Sequence, residues 1–204
     1  ITYTVTYSNA DTVSLVNANV TVNAGGTASC SSAVSGSGTT TRTVTLSSCS
    51  GDGAVGISLA AATASDTLGN NAAAAGPSST FTVDNTAPTL SISAPSASST
   101  KAGPITYTVT YSNADTVSLV NADVTVNAGG TASCSSAVSG SGTTTRTVTL
   151  SSCSGDGAVG ISLASATASD TLGNNAASSG LSATFTVDNT APTLSISAPS
   201  ASST

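Results

Sequence analysis

The sequence predicts an all-β chain of tandem antiparallel β-sandwich modules with a period of about 104 residues. Three observations predict it. Runs such as Ile105-Thr106-Tyr107-Thr108-Val109-Thr110-Tyr111 alternate apolar or aromatic residues with Thr, the period of a half-buried strand. Glycine-rich turn signals separate such runs at roughly the 8–12-residue spacing of all-β folds, and no stretch keeps a helical period. Third, Ile1 to Thr100 matches Ile105 to Thr204 at all positions but six: Asn19/Asp123, Ala61/Ser165, Ala74/Ser178, Ala75/Ser179, Pro77/Leu181 and Ser79/Ala183. A fixed period marks an array, and only Lys101-Ala102-Gly103-Pro104 is not duplicated.

In the complete second copy, Leu90-Ser91-Ile92 reads as a short opening strand and Ala94 to Pro104 as a loop. Ile105 to Tyr111 is the clearest strand, with Ile, Tyr, Val and Tyr on one face and Thr on the other. After a turn at Asn113-Ala114-Asp115, Val117-Ser118-Leu119 and Val124-Thr125-Val126 resume, stopped by Asn127-Ala128-Gly129-Gly130. A strand through Cys134 to Val138 ends at Gly140, and Thr144 to Leu150 alternates again toward Cys153. Gly155-Asp156-Gly157 turns the chain into Val159-Gly160-Ile161-Ser162-Leu163. A polar loop is expected from Ala164 to Leu181, then a strand at Phe185-Thr186-Val187.

Val83-Asp84-Asn85-Thr86-Ala87-Pro88-Thr89-Leu90-Ser91-Ile92-Ser93 returns unchanged at Val187 to Ser197 and joins one strand to the next. Pro88 lacks a backbone donor and biases Ala87 toward extended geometry, as a joint between modules requires. The boundaries that follow are 1–85, a module lacking its first strand; 86–189, a complete module; and 190–204, the first strand of a following module or of the next subunit. Two readings are open. The chain is a two-repeat window on a longer polymer, the simpler reading, or Thr193-Leu194-Ser195-Ile196-Ser197 completes the next subunit by strand addition. Both predict self-association end to end.

Composition excludes several functions. There is no His, Trp, Met, Glu or Gln, and the nine Asp against Arg42, Lys101 and Arg146 give a net charge of −6. Three separated cations build no basic patch, so nucleic acid is not an expected partner. No run approaches the roughly 18 apolar residues that cross a bilayer, so no membrane insertion is expected. Neither a leader nor an initiator Met is visible, which reads as a mature product or a fragment. Charged residues make up 6% against a norm of about 25%, so Ser, Thr, Asn and Gly must form the surface. Such an exterior is insensitive to salt and offers trypsin little to cut.

Cys30/Cys49 and Cys134/Cys153 form one pair per copy at a spacing of 19, which suggests one disulfide per module and an oxidising compartment. Buried free thiols are the alternative; two sulfurs without His or a CxxC do not make a zinc shell. Lacking His and Glu, the chain has no Ser-His-Asp triad and no Glu acid/base pair, and an isopeptide bond in each module would need more than the single Lys101. No enzyme is expected, and no cofactor is required.

Calcium is the candidate ligand, since it takes six to eight oxygens. Asp66, Asn70 and Asn71 with Asp84 and Asn85 are the candidate donors, repeated as Asp170, Asn174, Asn175, Asp188 and Asn189. The alternative is a turn in which Asp and Asn satisfy their own backbone; the closing Glu of an EF-hand is absent. Tyr3, Tyr7, Tyr107 and Tyr111 read as core with hydroxyls at the rim, against a sugar-stacking platform. Asn19-Val20-Thr21 is a glycosylation sequon that Asp123 removes from the second copy.

The runs Val-Asp-Asn-Thr-Ala-Pro-Thr, Ser-Thr-Lys-Ala-Gly-Pro-Ile-Thr-Tyr-Thr-Val-Thr-Tyr, Ser-Gly-Asp-Gly and Ala-Ser-Asp-Thr-Leu-Gly-Asn-Asn resemble the bacterial Ig-like repeats of giant surface proteins. The resemblance covers the whole period and departs in the cysteine pair within each repeat. It implies Ig-like sandwiches in long extracellular proteins of the cell surface, calcium near the junctions, and no catalysis. The expected function is a structural extracellular fibre or adhesin stalk; the alternative is an adhesive module that binds a carbohydrate or a host protein.

Overall fold

The computed structural model describes residues 1–201 and divides into two compact units, Ile1–Thr86 and Ala87 onward. Unit 1 holds β1 (Thr2–Thr6), β2 (Thr12–Val13), β3 (Val20–Ala24), β4 (Ser29–Ser35), β5 (Thr41–Ser50), β6 (Gly53–Leu59), β7 (Ala64–Ser65) and β8 (Phe81–Val83). Unit 2 begins with β9 (Thr89–Ile92) and β10 (Ser99–Thr100), then repeats the same order. Its strands are β11 (Ile105–Ser112), β12 (Thr116–Val117), β13 (Val124–Ala128), β14 (Ser133–Ser139), β15 (Thr145–Ser154), β16 (Gly157–Leu163), β17 (Ala168–Ser169) and β18 (Phe185–Val187). The chain is all-β.

In unit 2, one sheet runs β14–β15–β11–β9 and a second β10–β18–β16–β13. Alternation decides which side chains meet between them. Ile105, Tyr107, Val109 and Tyr111 of β11 and Val148 and Leu150 of β15 form one core with Val159, Ile161, Leu163, Phe185 and Val187. The Thr residues of β11 face outward. Two sheets closing on one core are consistent with a β-sandwich. Unit 1 repeats the plan with β1–β5–β4 and β3–β6–β8 around Val44, Leu46, Val55, Ile57 and Val83.

The disulfides Cys30–Cys49 and Cys134–Cys153 are present, each between neighbouring antiparallel strands. Register explains the geometry. Ser29 faces Ser50 but Ser31 faces Ser47, so Ser48 and Cys49 together oppose Cys30. Ser48 takes φ 50°, and this bulge turns Cys49 onto the face of Cys30.

The structure departs from the sequence-based expectation in two places. The expected polar loop 164–181 contains β17, paired with β12, and buries Ala168 and Ala176. Alanine carries too little apolar surface to register as a strand signal. The expected loop 94–104 contains β10, which pairs parallel to β18 in an otherwise antiparallel fold. Among the described residues no strand lies beyond Val187, and Leu194 and Ile196 of Thr193 to Ser197, the segment expected to pair with a following module or another subunit, are each 90% exposed. Residues 202–204 of the segment 190–204 lie outside the described residues.

Candidate functional site

Two features of the units carry functional weight: the joint residues at the end of each unit, and the outer edge of its first long strand. The joint is built on the aspartate of the Gly-Asp-Gly turn. Gly155-Asp156-Gly157 is locked to the turn after β13: the Asp156 N–H donates to Thr131 Oγ1 at 3.0 Å, and the Thr131 N–H to the Asp156 carbonyl at 2.9 Å. The approach is too close for any other residue at Gly157, where φ is 153° and a Cβ would lie 2.0 Å from the Gly129 carbonyl oxygen.

Held there, the Asp156 carboxylate faces the joint. The Asn189 N–H donates to its Oδ1 and the Thr190 hydroxyl to Oδ2 at 3.0 Å, while Asn189 Nδ2 reaches the Gly155 carbonyl at 2.8 Å. Unit 1 repeats this arrangement. Asp52 accepts from the Asn85 N–H and the Thr86 hydroxyl, each at 2.6 Å, and Asn85 Nδ2 donates to Gly51. Asp84 Oδ1 closes a turn by accepting from the Thr86 N–H, as Asp188 does for Thr190. Donors aimed at the ionised form hold both carboxyls below the usual range, chiefly the Thr86 hydroxyl for Asp52 and the Asn189 N–H for Asp156.

The other proposed calcium donors form a separate network. Asp66 Oδ1 accepts from the Leu68 and Asn70 N–H groups, and Oδ2 from Asn70 Nδ2 at 2.8 Å. Asp170 holds Leu172 and Asn174 in the same way. Both carboxyls are lowered, chiefly by the Asn side-chain amide. Asn71 and Asn175 bridge instead to Ser65 and Ser169. The candidate donors at Asp66–Asn70 and at Asp84–Asn85 therefore stand as two hydrogen-bond networks. Among the described residues no three His, Cys, Asp or Glu side chains come together as a metal site. Gly-Asp-Gly reads from sequence as a turn; only its pairing with Asp-Asn-Thr reveals Asp52 and Asp156.

The second feature separates two nearly identical sequences. In unit 2, β9 runs antiparallel along β11, placing Ile92 opposite Val109 and Leu90 opposite Tyr111. Beyond it the Ser93 N–H donates to the Thr108 carbonyl at 2.9 Å, and the Thr108 N–H donates to Ser93 Oγ at 2.9 Å. Ser96 serves Thr106 in the same manner. Leu90 and Ile92 pack on the core, and Tyr107 and Tyr111 are buried with their hydroxyls donating to the Ala183 carbonyl and to Thr167 Oγ1. Burial pushes both phenol pKa values up.

In unit 1 the corresponding edge of β1 carries no strand among the described residues. Tyr3, Val5, Tyr7, Leu59 and Phe81 stay half-buried where their unit 2 counterparts are buried. A groove of about 360 Å³ runs between β1 and the segment Ala75 to Ser78, floored by Ile57 and Leu59.

Arg42 and Arg146 are buried and spend their guanidinium groups on carbonyls, Arg146 on those of Val117, Gly142 and Thr145. No helix among the described residues is long and apolar enough to cross a membrane. Comparison with protein families, with curated proteins and with solved structures finds no match.

Proposed function

We propose that this chain is a structural component of an extracellular bacterial fibre or adhesin stalk, built from tandem Ig-like sandwiches joined end to end. The observation that carries the reading is the repeated clamp: Asp52 on Asn85 and Thr86, and Asp156 on Asn189 and Thr190. Each unit thereby ties the first residues of its outgoing joint to its own Gly-Asp-Gly turn, between β5 and β6 or β15 and β16. Leaving a unit under such constraint suits a load-carrying array, in which a slack linker would absorb tension. The disulfide in each unit supports an oxidising location.

The reading also explains the narrow side-chain inventory. A fibre needs strands, turns and clips, and this chain spends its two arginines on internal carbonyls. Against a sugar-stacking platform stands the burial of Tyr107 and Tyr111 in unit 2. Electron microscopy of the native assembly tests the proposal. Unbranched filaments with an axial repeat of one or two modules are expected; tight, specific binding of a glycan by the isolated chain would overturn it.

A further inference from the structure

We propose that Asn19 carries an N-linked glycan, attached at its side-chain nitrogen Nδ2. The inference rests on the extracellular reading above and adds a covalent modification to it. Asn19-Val20-Thr21 supplies the residue types that an oligosaccharyl transferase recognises, and in a secreted chain the pattern marks a surface position. No other asparagine of the chain stands two residues before Ser or Thr.

The hydrogen bonds around Asn19 single out the same atom. The residue ends a short 3-10 turn, Asn17–Asn19, just before β3, and lies half-buried at the surface. Its N–H donates to the Val16 carbonyl at 3.0 Å, its carbonyl accepts from the Ala60 N–H at 2.9 Å, and its Oδ1 accepts from the Val16 N–H at 3.0 Å. Every polar group of Asn19 but one is thus spent on the fold. Nδ2 alone has no partner among the described residues. Its neighbours differ: Asn17 donates Nδ2 to the Ser32 carbonyl and Asn23 donates Nδ2 to Ser58 Oγ, each at 2.8 Å. Thr21, which completes the sequon, is exposed on β3.

Unit 2 is a natural control, because the fold there does without that nitrogen. Asp123 replaces Asn19, and its Oδ2 accepts from the Val120 N–H at 2.9 Å, as Asn19 Oδ1 does from Val16. The backbone bonds of the turn are also kept, from the Asp123 N–H to Val120 and from the Ala164 N–H to Asp123. A glycosylated amide retains its oxygen, so the sugar leaves this turn closed. In the transfer, Nδ2 attacks the anomeric carbon of a sugar carried on a lipid pyrophosphate. The N–C bond forms and the C–O bond to the pyrophosphate breaks. The lipid pyrophosphate leaves with the electron pair, and the amide proton passes to a base of the transferase.

Mass spectrometry of the chain purified from its native source tests the proposal. Trypsin separates residues 1–42 of the reduced, unfolded chain, which hold Asn19, from residues 102–146, which hold Asp123. The first peptide is expected to be heavier than its sequence by a glycan that fragmentation maps to Asn19, and the second to carry no N-linked mass. N19D, made in the same cells, is expected to fold with the Asp123 type of turn and to lose the added mass. A bare Asn19, a sugar that maps to Thr21 instead, or an added mass that persists in N19D would each overturn the inference. The unreduced mass separates this outcome from the reading beneath it. Two intact disulfides with a bare Asn19 sink the glycan alone, whereas four free thiols sink the extracellular reading itself.

Discussion

Asp52 shows how one exposed carboxylate organises a joint. It contributes through the donors it collects, and those donors prefer its ionised form. Because Asp52, Asp66, Asp156 and Asp170 all titrate below the ordinary carboxyl value in the folded chain, the unfolded chain takes up protons first as pH falls. Their stabilisation is complete above about pH 5 and is lost progressively below about pH 4. Thermal melts across this range are expected to show a steep acid limb that flattens in D52N/D156N; an unchanged limb would place the acid sensitivity elsewhere. Since these oxygens already hold N–H and O–H donors, saturating calcium is expected to leave the melting temperature unmoved, and a clear rise would assign the ion to one of the two networks. The buried arginines make a different point. R146A strips donors from the carbonyls of Val117 and Gly142, so a loss of about 1–3 kcal/mol is expected in denaturant unfolding.

At the scale of elements, the β4–β5 and β14–β15 hairpins carry the covalent clips. The bulge at Ser48 and its counterpart at Ser152 are what bring the sulfurs together, because an unbroken register would place Cys49 on a different level from Cys30. Closing a 19-residue separation is worth about 3 kcal/mol in the chain-entropy model, so C134S/C153S is expected to lower the stability of unit 2 by that order. A loss well under 1 kcal/mol in denaturant unfolding would show that hairpin pairing alone already restricts the reduced chain. The long strands were legible from alternation, since β-branched and aromatic residues on every second position leave one face to bury. The two-residue strands were not. Ala168 and Ser169 carry no period, and they pair because Thr116 and Val117 are brought beside them.

For the whole molecule, nearly equal sequences end in unequal cores. Among the described residues, unit 2 has fifteen buried apolar residues and unit 1 has seven. Since burial of apolar surface is the main favourable contribution to folding, calorimetry of the chain is expected to resolve two transitions, with unit 1 melting first. A single transition would mean that the units unfold together. Addition of a peptide with the sequence of Thr89 to Ser96 is expected to raise the lower transition and leave the upper one in place.

By itself the sequence determined the all-β class, the duplication, the core faces of the long strands and the pairing of the cysteines, because all of these follow from local periodicity and spacing. It also marked the Asp-Asn-Thr-Ala-Pro joint. Only the tertiary structure decided what that joint is fastened to, since Asp52 lies more than thirty residues earlier in the chain and meets Asn85 through sheet packing. Only the tertiary structure, too, distinguished Tyr107 from Tyr3. Identical residues on identical strands are buried or half-buried according to whether a Thr-Leu-Ser-Ile strand lies along the edge, and local sequence holds no record of the neighbour that supplies it.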